Sequence, residues 1–209
     1  MKKPTKKSVA PAAPGAESKS EVAIRAPSIL RTTIKLRGIS SLIMHAWSKK
    51  AIEMIEAKQQ KKATGPKSAK VPLDEFNGAR YIIDEDTDGI PAICLKNCAV
   101  EAGVTLGMQK TYLRKCFFVN PDGDELVPIT CPEGPKMRTD MVRVGMGTAD
   151  VRYRPEYKHW SLEVPVEFNS ELISAHELLN LFENAGYSVG LGEWRPQKDG
   201  VHGRFKVEG

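Results

Sequence analysis

The sequence has no apolar run long enough to cross a bilayer, and its first thirty residues lack the long apolar stretch of a secretory signal. The expectation is therefore a soluble, cytoplasmic protein. The four cysteines, Cys94, Cys98, Cys116 and Cys131, form no CxxC pair and have no histidine at metal-ligand spacing. They read as free thiols in a reducing compartment. His159, His176 and His202 form no cluster with acids, so neither a metal nor a cofactor is expected. A dinucleotide fingerprint is missing too. The glycines of GLGEWRPQKDGVHG stand after a predicted helix and before a predicted strand, whereas a pyrophosphate needs the helix second. The P-loop pattern and internal repeats are likewise absent.

What charge there is sits unevenly. Residues 1–30 carry six lysines and arginines against two acids, and residues 58–70 (KQQKKATGPKSAK) carry five lysines and no acid. Residues 31–57 add five cations against two acids, while residues 71–209 hold fifteen cations against twenty-two acids. The formal +5 thus belongs to a basic tail, too poor in apolar residues to fold alone, and to a flexible lysine-rich loop. Mobile lysines gain free energy near phosphates by releasing counterions. The competing reading is that both runs are solvated solubility segments.

The tail (1–30) leads into a single domain over 31–209. Thr32 to Arg37 alternates as a strand, Gly38 to Trp47 is an apolar crossing with a break, and Ser48 is placed to cap a helix reaching Gln60. Tyr81–Ile83 and Ile90–Leu95 flank DEDTDG as a hairpin, and Asn97 to Gln109 has a helical pattern weakened by Gly103 and Gly107. Cys116–Val119 reads as a strand before a PDGD turn. Met137–Val144 and Val151–Tyr153 read as strands around Gly145 and Gly147. Trp160, Leu162, Val164, Val166 and Phe168 alternate as a half-buried strand, with Pro165 suggesting an edge or a bulge. This order predicts an α+β fold: an antiparallel sheet with helices on one face, a split βαβ core and hairpin insertions.

From Ser174 onward the signals are denser. Ser174 and Glu177 make a capping box, Leu178, Leu179, Leu181 and Phe182 supply an apolar stripe, and the helix should stop before Gly186. A loop with Gly190 and Gly192 then closes on a final strand starting at Arg204. Here Arg195, Lys198 and Arg204 could bridge phosphate oxygens, backbone amides exposed by the glycines could add donors, and Trp194 could stack on a base. Alternatively Trp194 packs beneath the sheet and Arg195 pairs with Glu193 or Glu183. Arg152 and Arg154 share a strand face, and with Arg138 and Arg143 they either extend a basic stripe or are isolated surface arginines. Lys49 and Lys50 stand where a helix dipole disfavours cations, a conflict that a bound anion would relieve. His45, after the first strand, is either a core residue beside Met44, Ala46 and Trp47 or a general acid or base.

Three segments resemble the RAMP superfamily of CRISPR-associated RNA-binding proteins, especially its backbone subunits and similar standalone phage proteins. These are the first strand leading through SSLIMHAWSKKAIEMI, the segment GIPAICLKNCAVEAG with Lys96 matching the family's helix-opening lysine, and ENAGYSVGLGEWRPQKDGVHGRFKV. The resemblance implies a ferredoxin-like (RAMP/RRM-like) domain in a bacterial or phage-infected cell. It implies a non-catalytic protein that binds single-stranded RNA or DNA, forms a homo-oligomer or filament along it, and joins other ribonucleoprotein subunits. Two alternatives stay open: a phage assembly or CRISPR-subunit-mimicking protein, and an endoribonuclease using His45. Glu193 and Asp199 make the glycine loop more acidic than a plain phosphate clamp.

Overall fold

A computed structural model of the chain describes residues 25–47, 49–62, 69–120, 122–145 and 147–208. The expected tail, Ser48 as a helix cap and the centre of the lysine-rich loop fall largely or wholly outside these residues. The architecture is mixed α and β, with two antiparallel sheets.

β1 (Ile29–Gly38) and β8 (Ser161–Asn169) form the centre of the larger sheet in a nine-residue register running from Ile29↔Asn169 to Arg37↔Ser161. β9 (Phe205–Glu208) pairs with the other side of β1. The far side of β8 is shared end to end by β5 (Leu126–Thr130) and β4 (Phe117–Val119), and β3 (Gly89–Pro91) adds to β5. Strand alternation sends Ile34 and Leu36 of β1 and Leu162, Val164, Val166 and Phe168 of β8 to one face, where all are buried. Each such side chain contributes about 1.5–3 kcal/mol by leaving water. α3 (Ala92–Thr105) and α5 (Ala175–Ser188) belong to the same core through Leu95, Ala99, Leu178 and Phe182.

The opposite face of this sheet is a solvated charge lattice. Arg31 pairs with Glu167 at 2.9 Å, Lys35 with Glu163 at 3.4 Å and Arg37 with Glu208 at 3.5 Å.

Pro165 does not mark an edge: β8 is central. The Pro165 carbonyl accepts from the Asn120 amide (2.8 Å), so this residue's amide side points away from β1. There the missing N–H falls between the ends of β4 and β5, where no ladder bond is lost.

Other boundaries moved for physical reasons. Tyr81–Ile83 and Ile90–Leu95 are not two hairpin strands. One isolated bridge joins Ile82 to Asp88, and α3 begins at Ala92, because Pro91 starts a helix as readily as it ends a strand. α3 also runs through Gly103. α1 (Lys49–Gln59) matches the expected helix, whereas α2 (Pro72–Gly78) and α4 (Lys110–Cys116) were not anticipated. α5 has its capping box, with the Ser174 hydroxyl accepting from the Glu177 amide and the Ser174 amide donating to the Glu177 carboxylate, at 3.2 and 2.8 Å. It passes Gly186 without stopping, and that residue lets β9 cross against the helix.

The second sheet is β2 (Leu42–Ile43), β7 (Thr148–Tyr157) and β6 (Lys136–Val144), in that order. Lys70, expected to be part of a flexible loop, is tied to it by Asp150 at 2.6 Å. A buried network links the two parts of the fold. Asp88 accepts from the Tyr157 hydroxyl at 2.6 Å and from the Arg80 guanidinium at 2.9 and 3.1 Å. Among the described residues no helix is long and apolar enough to cross a membrane.

Candidate functional site

The loop that follows α5 folds back tightly because its glycines let backbone meet backbone. Gly190 and Gly192 have φ of +73° and +71°, and a Cβ at Gly192 would run into the carbonyl oxygen of Ile43. Several of the amides around them are already used. Leu191 donates to Gly203, Glu193 to Ile43, Gln197 to Val189 and Gly203 to Ser41, at 2.8–3.2 Å. The glycines thus serve backbone packing, and these amides are taken by the fold itself.

Between this loop and the helices lies an open groove of about 530 Å³. Met44 and Ile90 contribute apolar surface, Cys94, Asn97 and Glu101 come from α3, and Lys110 and Arg114 come from α4. The loop supplies Glu193, Arg195 and Lys198 among others, and Tyr81 and His45 also line it. Four cations thus face two carboxylates, Glu101 and Glu193, and both carboxylates are engaged: Glu101 pairs with Lys110, and Glu193 lies 3.9 Å from Arg154, which is outside the groove. Arg195 pairs with neither Glu193 nor Glu183. Its guanidinium bonds the Gly192 carbonyl (2.8 Å) and the Gln197 side chain (3.1 and 3.2 Å), which holds it at the rim. Beneath the loop the Cys98 thiol donates to the Gly190 carbonyl (3.2 Å), and burial pushes its pKa up to about 12, so it stays a thiol.

Trp194 packs against the second sheet. Its ring is half-buried against the β6–β7 hairpin, 5.2 Å from the Arg138 guanidinium and 5.9 Å from that of Arg154. Arg152 and Arg154 do project from the same strand face, but Arg154 is buried and bonded to Asp140 at 3.5 Å. Arg138 pairs with Asp140 at 2.8 Å and Arg152 with Asp150 at 3.3 Å. This inner face of the hairpin is a neutralised ion network, which corrects the expected open basic stripe.

His45 sits where the network meets the groove. Its Nε2 lies 3.0 Å from an Arg152 nitrogen that can only donate, so Nε2 accepts and the neutral ring carries its proton on Nδ1. Burial, then Arg154 and Arg152, hold the imidazole pKa below its ordinary value.

The remaining expected residues stand apart. Lys96 lies over the Phe118 ring at 4.1 Å, with its pKa pulled down by burial and then by Arg114. Arg204 lies over Tyr187 at 5.6 Å, and Arg143 is exposed on the hairpin. Lys49 and Lys50 open α1, and their side chains lie outside the described residues. Conversely, the groove includes Lys110 and Arg114, which sequence reasoning missed. Their i, i+4 spacing puts them on one helix face and was a readable signal. Among the described residues no three His, Cys, Asp or Glu side chains stand close enough to share a metal ion. No protein-family model matches the chain, and no curated protein is similar enough to count as a relative.

Proposed function

We propose that the protein is a non-catalytic binder of single-stranded RNA or DNA, of the kind the RAMP resemblance implies, and that it seats the strand in the glycine-loop groove. The observation that carries this reading is the cation balance of the groove. Lys198 and Arg195 stand on the loop wall and Lys110 and Arg114 on the helix wall, so phosphates can be met from both sides. Tyr81 offers an aromatic face within the same groove. Contacts of this kind touch phosphate and sugar, so the binding is largely independent of base sequence.

The groove is favoured over the open face of the large sheet. There Arg31, Lys35 and Arg37 already have carboxylate partners, and a strand would have to displace them. A ferredoxin-like reading of the domain is supported by the sheet order. β9, β1, β8 and then β4 with β5 place the last core strand beside the first and the third between first and second, all antiparallel, with α3 and α5 as the two crossovers. Several copies bound along one strand, as in CRISPR backbone subunits, would follow from sequence-independent binding at each copy.

The test is salt-dependent binding to a fluorescent single-stranded oligonucleotide, for the parent and for a chain with Arg114→Gln and Lys198→Gln. Removing two phosphate contacts should shrink the slope of log K against log salt by roughly 1.4, at about 0.7 per contact. It should also weaken binding at least tenfold while the melting curve keeps its midpoint. Unchanged affinity and slope would remove the groove as the site.

A further inference from the structure

The hairpin of β6 and β7 has two unlike faces. Arg138, Asp140, Arg152 and Arg154 turn inward, whereas Met137, Thr139 and Met141 turn outward beside Val151 and Tyr153. Met137 is 43% and Met141 80% exposed. Among the described residues β6 bonds to β7 alone, so its second edge presents unpaired backbone donors and acceptors along nine residues. β6 contains neither proline nor a bulge, and its register with β7 is unbroken from Lys136↔Glu156 to Val144↔Thr148, so the charges on the strand are what a partner must match.

We infer that two copies of this chain join here, β6 against β6, antiparallel, across a two-fold axis at Thr139. The charges of the strand select that register. In a two-fold antiparallel pair, the residue on the axis faces itself and its neighbours face each other in reverse order. An axis at Asp140 sets carboxylate against carboxylate, and one at Arg138 sets guanidinium against guanidinium. An axis at Met137 opposes Lys136 to Arg138, and one at Met141 leaves Arg138 and Asp140 facing Val144 and Val142. With Thr139 on the axis, Arg138 of each copy faces Asp140 of the other, and Met137 faces Met141 on the outer side. Opposite charges and paired apolar side chains across a ladder both stabilise it, and like charges oppose it. The contact covers the outward methionines and completes the backbone pairing of β6. Because a two-fold contact closes on itself, it makes a dimer, which then is the unit available to a nucleic-acid strand.

The test uses the full chain freed of nucleic acid by nuclease treatment, so its outcome is independent of the strand-binding reading. Sedimentation at tens of micromolar should give about twice the 23.1 kDa of one chain. Under mild oxidation Thr139→Cys should give a disulfide-linked dimer well above the parent's background from exposed Cys94. Met141→Cys, whose two copies would lie four residues apart, or roughly 14 Å, should give at least tenfold less. Thr139→Lys, at an exposed position, puts two ammonium groups face to face and should raise the dimer dissociation constant at least tenfold with an unchanged circular-dichroism spectrum. A monomer at that concentration overturns the inference. So does Thr139→Cys crosslinking no better than Met141→Cys, or a Thr139→Lys chain that dimerises like the parent.

Discussion

Replacing Gly186 by alanine sets a local preference against a tertiary one. Alanine in a helix interior is favoured over glycine by about 1 kcal/mol, so α5 by itself would gain. Yet β9 crosses at that point. A Cβ at Gly186 would lie 2.7 Å from Cδ2 of Phe205 and 2.8 Å from its carbonyl carbon, with the carbonyl oxygen nearer still. Those backbone atoms cannot swing aside. Phe205 is paired with Gly38 in the sheet, and its buried ring meets Trp160 edge-on at 6.3 Å. The strand would have to lift by roughly an ångström from a close-packed interior, at about 3 kcal/mol, the upper end of ordinary overpacking. Against the helix gain this leaves about 2 kcal/mol of destabilisation, a melting temperature lower by roughly 4–8 °C for a chain of this size. Gly103→Ala is the internal control. It is also a buried helix glycine, but the nearest atoms to its new methyl are the terminal methyls of Leu113 and Leu181, and flexible side-chain ends can turn away. Its effect should stay within about 1 kcal/mol. Thermal melts of both variants by circular dichroism decide the matter. A Gly186→Ala midpoint equal to or above the parent's, or an equal fall for Gly103→Ala, would refute the reasoning.

Two further outcomes are expected. Tyr157→Phe takes from buried Asp88 a donor at 2.6 Å and should cost about 1.5–3 kcal/mol in urea unfolding, the range for hydrogen bonds to charged groups; a loss below about 0.5 kcal/mol would show that Arg80 alone satisfies the carboxylate. His45 has a folded-state pKa below its unfolded one, so the unfolded chain takes up the proton first. The stability it allows is complete above the ordinary pKa of about 6.5 and falls as pH drops below that value. His45→Gln keeps an acceptor for Arg152 but cannot be protonated, so its urea midpoint should lose that part of the pH dependence, and a slope identical to the parent's would remove His45 as the source.

What could be read from the sequence followed from local rules. The Ser174–Glu177 capping box and the alternation of β8 are written in neighbouring residues, and both stand as expected. The segment Ile90–Leu95 is ambiguous in sequence because a short apolar run fits a buried strand and a buried helix equally well, and only the packing of Leu95 in the core decides. Gly186 reads as a stop by local rules because glycine usually ends helices, whereas it answers to a strand nineteen residues further along. The groove was legible on its loop side alone. Arg195 and Lys198 stand among glycines, but Lys110 and Arg114 reach the groove from a helix with weak local signals. Asp140 and Asp150 stand two residues from Arg138 and Arg152 on the same strands and were readable by the period of two, whereas Arg154 meets Asp140 only through strand pairing.

β1 lies early in the sequence, and both of its partners in the sheet, β8 and β9, lie beyond residue 160. While the chain emerges from a ribosome, β1 has neither neighbour until most of the domain has been made, and its apolar Ile34 and Leu36 stay uncovered for that interval. Pairing across such sequence distances folds slowly, because loop closure must be achieved before contacts reward it. For this protein the vulnerable stage is therefore synthesis, and a halt between β1 and β8 would release a nascent chain with an unpaired apolar strand.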